Sequence, residues 1–93
     1  MIEVTVKYFN ILSDYARKKD DTVSLAEMST VFDLVMNLVE RNPPSFGSVV
    51  ISDGALSSFI RIFVNDEMVS GEGIDNILHD GDKILLFPAV SGG

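Results

Sequence analysis

The sequence contains no cysteine, and this absence excludes a disulfide framework, a thiolate metal site and a cysteine nucleophile. Any sulfur chemistry must therefore use sulfur that is brought from outside the chain. Histidine is almost as scarce, because His79 is the single one. One histidine without cysteine partners does not indicate a metal site, so we predict no metal ion and expect His79 to lie in a surface loop.

Positive charge and long apolar runs are also in short supply. Seven lysines and arginines stand against 14 aspartates and glutamates, which gives a formal net charge of −7. This charge would repel a phosphate backbone, so we predict no nucleic acid partner. No stretch approaches the ~20 apolar residues of a membrane span, and no basic segment precedes an apolar one at the N-terminus. We predict a cytoplasmic protein with no membrane partner.

The excess of acidic residues has two interpretations. It could steer the protein toward a basic patch on a protein partner, because opposite charges attract over several ångströms of solvent. Alternatively, the acidic side chains could simply keep the surface solvated. The sequence leaves both interpretations open.

What is present is the composition of an ordinary folded domain. The 93 residues are 46% hydrophobic and 23% charged, which suffices for one core and argues against disorder. Neither an internal repeat nor an interdomain linker is visible. We predict one domain over residues 1–87, followed by a flexible tail over residues 88–93 that ends in Gly92-Gly93.

Alternating apolar and polar residues predict the first strand over residues 2–8. Near-helical spacing predicts a short helix within residues 10–19, and a second strand follows at about residues 22–25. The clearest helix begins near Ser29 or Thr30 and ends near Arg41, before a pair of prolines. It places five side chains on one apolar face: Val31, Leu34, Val35, Leu38 and Val39.

The second half of the chain is predicted to complete a sheet. We expect a loop with a brief edge segment over residues 45–58, a strand over 59–64 and a last strand over 83–87. The element order ββαββ indicates an α+β protein with a mixed sheet and one main helix packed on one face.

Carboxylates gather before the last strand, at Asp75, Asp80 and Asp82. They lack the alternating ligand spacing of a calcium loop, so we interpret them as turn and cap residues. No serine or threonine falls in a pattern with histidine that would indicate a nucleophile. The sequence therefore predicts no catalytic residue.

The chain ends in a neutral tail of small residues, from Phe87-Pro88 to Gly92-Gly93. Two terminal glycines expose bare backbone and maximise its conformational freedom. Such a tail can enter a narrow channel and bring its terminal carboxylate close to ATP, where a branched residue would clash. The C-terminus is therefore predicted to be a substrate for another protein.

Three motifs and their spacing resemble the MoaD/ThiS-type sulfur carriers, which share the β-grasp (ubiquitin-like) fold. The motifs are Val64-Asn65-Asp66-Glu67, Asp80-Gly81-Asp82 and Phe87-Pro88-x-Val90-x-Gly92-Gly93. The Phe87-Pro88 start of the tail is similar to the small subunit of molybdopterin synthase. The chain departs from that subunit at Ala89, where a second proline is common, and at Asp66, where glycine is common.

The resemblance implies a function for the tail. An E1-like adenylating enzyme would activate the Gly93 carboxylate with ATP, and a sulfur donor would convert it to a thiocarboxylate. The large subunit of molybdopterin synthase would then pass the sulfur to a pterin precursor, in molybdenum cofactor biosynthesis. Pro88, Val90 and Gly92 would serve in recognition of the tail. The chain itself would be a carrier rather than an enzyme, and it would hold no cofactor.

Other functions fit the same tail. The chain could be a ubiquitin-like modifier that forms isopeptide bonds through Gly93, or a sulfur carrier for thiamine synthesis or tRNA thiolation. A passive β-grasp binding module with incidental glycines is a third possibility, and it would be indifferent to truncation of the tail.

Strand alternation also predicts where a partner docks. If Tyr8, Ile62, Val64 and Leu86 face the helix, then five other residues lie on the opposite face of the sheet: Phe9, Arg61, Phe63, Leu85 and Phe87. Aromatic residues on an open face indicate a binding surface. Two alternatives remain at this point, namely that the loop over residues 45–58 covers these side chains, or that a register shift of one residue exchanges the two faces.

Overall fold

The computed structural model describes residues 1–69 and 71–89. In chain order the elements are β1 (Ile2–Tyr8), α1 (Ile11–Ala16), β2 (Asp20–Leu25), α2 (Val31–Arg41), α3 (Pro44–Val50), β3 (Ile51–Ser52), β4 (Ala55–Leu56), β5 (Ile60–Val64), β6 (Glu67–Met68), a 3₁₀ turn (Gly71–Asp75) and β7 (Lys83–Pro88). None of the helices in this part of the chain combines the length and the apolar character needed to cross a membrane.

Five strands form one sheet in the order β2-β1-β7-β5-β6, and β3 pairs with β4 in a separate hairpin. The central pair, β1 and β7, is parallel, and the other neighbours are antiparallel. The sheet is therefore mixed, with the first and last strands of the chain side by side. This arrangement confirms the predicted α+β class and its β-grasp sheet with one main helix.

The core lies between one face of this sheet and α2. Along β1 and β7 alternate side chains are buried, among them Val4, Val6, Ile84 and Leu86. The predicted apolar face of α2 supplies the other half of the core, although Val39 at its edge is only partly buried. The side chains that recur every second residue in the strands thus pack in one cluster with those that recur every 3.6 residues in the helix.

The main helix begins at Thr30, one of the two predicted caps. The Thr30 hydroxyl accepts a hydrogen bond from the Asp33 amide at 3.1 Å, and the Asp33 carboxylate accepts one from the Thr30 amide at 2.9 Å. This reciprocal capping box satisfies two amides that the first turn would leave without partners. The predicted end at Arg41 is also confirmed.

The predicted loop over residues 45–58 is wrong in its first half. Residues Pro44–Val50 form α3, and Phe46 and Val50, one turn apart, are both fully buried. The ring of Phe46 packs edge-to-face on Tyr8, with centroids 5.5 Å apart. Pro44 is the first residue of α3, a position where the missing amide of proline costs no hydrogen bond.

Other elements lie close to their predicted positions. The short helix α1 ends at Ala16, inside the predicted segment, where Arg17 adopts a left-handed conformation with φ of 61°. The second strand begins at Asp20, where pairing with Lys7 starts. In the segment over residues 45–58, Asp53 and Gly54 both have positive φ and form the turn that connects β3 to β4.

A polar network joins the outer strand β2 to the end of α2. The side-chain amide of Asn42 donates to the Tyr8 hydroxyl at 3.1 Å, and that hydroxyl donates to the Asp21 carboxylate at 3.4 Å. Lys18 and Arg41 form ion pairs with the same carboxylate, at 3.1 and 2.9 Å. The network therefore links β2 both to the end of α2, through Arg41, and to the loop before β2, through Lys18.

These contacts change the acidity of two groups. Burial raises the pKa of the Tyr8 phenol to about 12, more than the hydrogen bond from Asn42 lowers it. Burial also acts to raise the pKa of Asp21, but the hydrogen bonds and charges of Lys18 and Arg41 outweigh it and hold the pKa below its ordinary value. Asp21 is therefore a carboxylate that the folded state keeps ionised.

The burial of Phe46 predicts a large loss of stability in the variant Phe46→Ala. Removing a fully buried aromatic ring leaves a cavity, which costs about 3–5 kcal/mol in the free energy of unfolding. Urea unfolding followed by circular dichroism measures this loss. The control is Ser45→Ala, one residue away and exposed, which should change stability by less than ~0.5 kcal/mol. A cost below about 1 kcal/mol for Phe46→Ala would contradict the position of α3 in the core.

Asp21 predicts a pH dependence of stability. Because its pKa is lower in the folded than in the unfolded chain, it stabilises the fold above the ordinary aspartate pKa of about 4, and this contribution is lost as the pH falls through the folded pKa. We expect Asp21→Asn to be less stable than the wild type at neutral pH and to lose less stability on acidification. Urea unfolding at several pH values measures both effects. Asp20→Asn is the control, and an identical acid response of all three proteins would disprove the prediction.

Candidate functional site

The five predicted interface residues lie on the sheet face that points away from α2, called the open face. Arg61 is the cross-strand partner of Phe87, and Phe63 is the partner of Leu85. Directly opposed residues project from the same face of a sheet. Tyr8, Ile62 and Leu86, on the other face, are buried. The register assumed in the prediction is therefore observed, and the alternative of a shift by one residue is excluded.

Three phenylalanines form the centre of the open face, and Phe9, Phe63 and Phe87 are called the aromatic triad. Phe9 stacks on Phe87 with centroids 4.2 Å apart and an interplanar angle of 8°, and Phe63 meets Phe87 edge-on at 5.5 Å. Such stacked and edge-on pairs are the favourable arrangements of aromatic rings. All three remain half-buried rather than covered. Phe87 touches both of the others and is the middle of the triad.

The helix α3, in the segment expected as the alternative cover for these side chains, packs elsewhere. Phe46 of α3 contacts Tyr8, whose side chain belongs to the core on the α2 side of the sheet. The helix α3 therefore lies on the opposite side from the triad. The triad remains available as a surface, and a partner could bury it.

The last strand extends one residue beyond its predicted end. Pro88 pairs with Ile60 and is buried, and the amide of Ala89 donates a hydrogen bond to the Phe59 carbonyl. Because amides alternate in direction along a strand, position 88 would direct its amide away from β5, toward the side where β1 has already ended. Proline is tolerated there because it has no amide to leave unsatisfied.

This geometry corrects the predicted start of the tail and the predicted position of one of its residues. Pro88 belongs to the sheet, so its ring supports the exit of the tail from inside the fold. Sequence reasoning missed the Phe59 carbonyl, because no side-chain pattern reports a backbone acceptor. Val90, Gly92 and Gly93, the other predicted tail residues, lie outside the described residues.

Two of the three motifs behind the family resemblance form a single clasp at the start of β7. The Asn65 side chain donates to the Asp82 carboxylate at 2.8 Å and accepts from the Lys83 amide at 3.0 Å. The other Asp82 oxygen accepts from the His79 amide at 2.8 Å. Asp82 is only 9% exposed, so these bonds replace the water that its carboxylate lost.

Asp80 makes a second link at the same corner, because its carboxylate accepts from the Glu3 amide at 2.8 Å. Both carboxylates therefore act as turn and cap groups, as predicted, and His79 is exposed in the loop before them. Within residues 1–69 and 71–89, no three histidine, cysteine or acidic side chains are grouped closely enough to hold a metal ion. The clasp secures β7 at the end opposite to the tail.

Solved structures of other proteins resemble this fold along nearly its whole length. The solution structure of small archaeal modifier protein 1 from Methanosarcina acetivorans matches with a TM-score of 0.83 at 31% identity, covering 100% of this chain and 98% of that one. A Pyrococcus furiosus protein described as molybdopterin converting factor, subunit 1, matches with a TM-score of 0.81 at 31% identity, covering 97% and 100%.

Comparison of the sequence with those of other proteins also finds sulfur carriers. A protein of Archaeoglobus fulgidus described as a sulfur carrier is 36% identical over 69 residues, which is 73% of this chain and 78% of that protein. The model of the ThiS family matches residues 6–93, which includes the clasp, the triad and the C-terminal glycines. The chain therefore belongs to the ThiS family, and it is a ubiquitin-like sulfur carrier of the MoaD/ThiS type.

Proposed function

We propose that this chain carries sulfur as a thiocarboxylate on Gly93 and acts as the small subunit of molybdopterin synthase. One observation carries the proposal: Phe87, the middle of the aromatic triad, lies in the same strand that leads into the tail. A partner that buries the triad therefore holds the tail close to its own surface. Docking of the triad therefore also brings the C-terminus to the partner.

The geometry also limits how far the tail can reach. Ala89 is bound to Phe59, so residues 90–93 are the part of the chain that follows the last described hydrogen bond. Four residues span at most about 13 Å when fully extended. The active site of a partner must then lie within this distance of the docked end of β7. The last two positions of these four carry no side chain, so they would enter a channel too narrow for a branched residue.

The proposed chemistry begins with an E1-like adenylating enzyme. The Gly93 carboxylate attacks the α-phosphate of ATP and displaces pyrophosphate, which gives a mixed anhydride with AMP as a good leaving group. A hydrosulfide-equivalent donor then attacks the carbonyl carbon, and AMP departs with the electron pair of the broken bond. The product is a thiocarboxylate on Gly93. The chain contributes the electrophile and the docking face, and the enzymes contribute the catalytic groups.

The proposed acceptor is a pterin precursor held by the large subunit of molybdopterin synthase. Support comes from the Phe87-Pro88 start of the tail and from the likeness to the Pyrococcus furiosus protein. The proposed reaction is cytoplasmic, because its first step consumes ATP. Val90 and Gly92 would be bound in the recognition channel, with Gly92 at the narrow end that excludes branched side chains. Pro88 would set the direction in which the tail leaves the sheet.

A second function is favoured by the likeness to small archaeal modifier protein 1. The same adenylate on Gly93 could be attacked by a lysine amine instead of sulfur, which would form an isopeptide bond and release AMP. Both reactions share the activation step. They differ only in the nucleophile and in the product that accumulates.

The activation step predicts a mass change that depends on Gly93. Incubated with the adenylating enzyme of the same host, ATP and a sulfide source, the intact chain should gain the difference between one sulfur and one oxygen atom. A chain without Gly93 should remain unchanged, whereas Ser91→Ala, which retains both glycines, should react like the wild type. Intact-protein mass spectrometry measures all three. An unchanged mass of the wild type, with an enzyme shown to release pyrophosphate on this chain, would refute the sulfur carrier proposal.

The product then identifies the acceptor. Purified thiocarboxylate mixed with the synthase large subunit and the pterin precursor should return to the carboxylate as the pterin gains sulfur. Covalent ladders on a denaturing gel of host extract, absent for the chain without Gly93, would instead support the modifier.

A further inference from the structure

The charges of the protein are distributed unevenly between the open face and the rest of the molecule. The charged residues that alternate onto this face in the strands are Glu3, Lys7, Asp20, Arg61 and Lys83. Three cations thus stand against two carboxylates there. The rest of the sequence has four cations against twelve carboxylates. Among the strand residues that the structure describes, cations thus outnumber carboxylates on the face that carries the aromatic triad.

The three cations border the apolar part of the open face. Lys7 is the cross-strand partner of Leu85, and Arg61 is the partner of Phe87. Lys83 lies two residues before Leu85 on the same strand and the same face. Neighbouring strands lie about 4.8 Å apart and every second residue about 6.6 Å apart. Each cation is therefore next to Leu85 or Phe87, which belong to the apolar part of the open face.

These three cations are available to a partner. Asp21 binds Lys18 and Arg41, on the other side of the sheet edge. By contrast, Lys7, Arg61 and Lys83 form no ion pair within 4.0 Å with any carboxylate in the described part of the chain. Asp20 lies across from Lys7 on the outer strand, and Glu3 lies near the start of β1. Asp66, in the turn between β5 and β6, lines one cavity together with Asp20, Lys7 and Lys83.

Arg61 has a further role that leaves it partly engaged. Its guanidinium donates to the carbonyls of Ser58 and Ile60, at 2.6 and 3.4 Å. These contacts hold the side chain near the exit of the tail, where Ala89 bonds to Phe59. The two lysines, both exposed, are therefore the clearest probes of how charge on this face acts.

We infer that the open face docks onto a partner surface with an apolar pocket bordered by acidic side chains. The inference rests on the proposed function, because it names the chemistry of the surface on the adenylating enzyme. It differs from one of the two interpretations of the acidic composition. A net charge of −7 could steer the protein to a basic partner, whereas the cations around the triad select an acidic one.

The size of the patch explains why charge matters here. The apolar part spans β1, β7 and β5, about 10 Å across, and the length of β7 from Leu85 to Phe87, about 7 Å. This area is well below the ~800 Å² per partner of a standard stable interface. A carrier that passes between enzymes needs rapid release, and attraction between opposite charges speeds the encounter without requiring a large buried area.

The test uses two double variants with the same net charge. Lys7→Gln with Lys83→Gln removes two positive charges from the open face. Ser45→Glu with Ser52→Glu adds two negative charges at exposed positions outside the five-stranded sheet. Association with the adenylating enzyme of the same host is followed by stopped-flow fluorescence at low and high salt, after urea unfolding has shown that both variants are folded. Lys7→Arg with Lys83→Arg is the charge-preserving control.

We expect the lysine-to-glutamine variant to associate about tenfold more slowly than the wild type at low ionic strength, with a weaker dependence on salt. The serine variant should stay within about twofold of the wild type, and the arginine variant should retain the fast rate. If the lysine-to-glutamine variant associates equally fast or faster, the partner surface is not acidic and the inference is wrong.

The outcomes separate this inference from the proposed function. A wild-type chain that gains sulfur at Gly93 but shows no effect of the two lysines overturns the inference alone. A wild-type chain that neither binds nor is adenylated overturns both.

Discussion

The parallel pairing of β1 with β7 is the contact on which the rest of the structure depends. It places the first and the last strand side by side at the centre of the sheet, from Thr5–Lys83 to Tyr8–Leu86. Its register buries Ile84 and Leu86 against α2 and thereby assigns Leu85 and Phe87 to the open face. A shift by one residue would exchange the two sets of side chains. The same backbone contact thus determines the core and the candidate interface.

Both ends of β7 are held by contacts outside this pairing. At its start, Asn65 and Asp82 form the clasp, and Asp80 binds the Glu3 amide. At its end, Ala89 bonds to the Phe59 carbonyl after a buried proline. Two motifs of the family resemblance therefore have a structural explanation, since they secure the strand that leads to the tail. The third motif begins in β7 with Phe87 and the buried Pro88 and continues into the tail, where the resemblance concerns chemistry rather than packing.

Much of the fold could be predicted because its main elements carry their own periodicity. The strand β1 alternates over its full length, and α2 combines an apolar face with a capping box in sequence. The helix α3 could not be predicted in this way. It buries only Phe46 and Val50 in seven residues, and its prolines suggest the end of one helix as readily as the start of another.

The candidate site could likewise be predicted only in part. Which residues share the open face follows from alternation within each strand, so Phe63 and Phe87 could be predicted. Their neighbours across the sheet depend on the pairing of strands that are distant in sequence. Lys7 lies beside Leu85 only because β1 and β7 are adjacent and parallel, and the net charge does not show that cations border the triad. The hydrogen bond at the exit of the tail joins two backbone groups and leaves no trace in the side-chain pattern.

Docking of the open face on the enzyme that activates the tail can be followed by NMR, from the amide chemical shifts of the isotope-labelled chain as unlabelled adenylating enzyme is added. We expect the changes to concentrate at Phe9, Arg61, Phe63, Leu85 and Phe87, while the exposed side of α2 around Met36 is unaffected. Changes centred on α2, with the amide of Phe87 unperturbed, would contradict it.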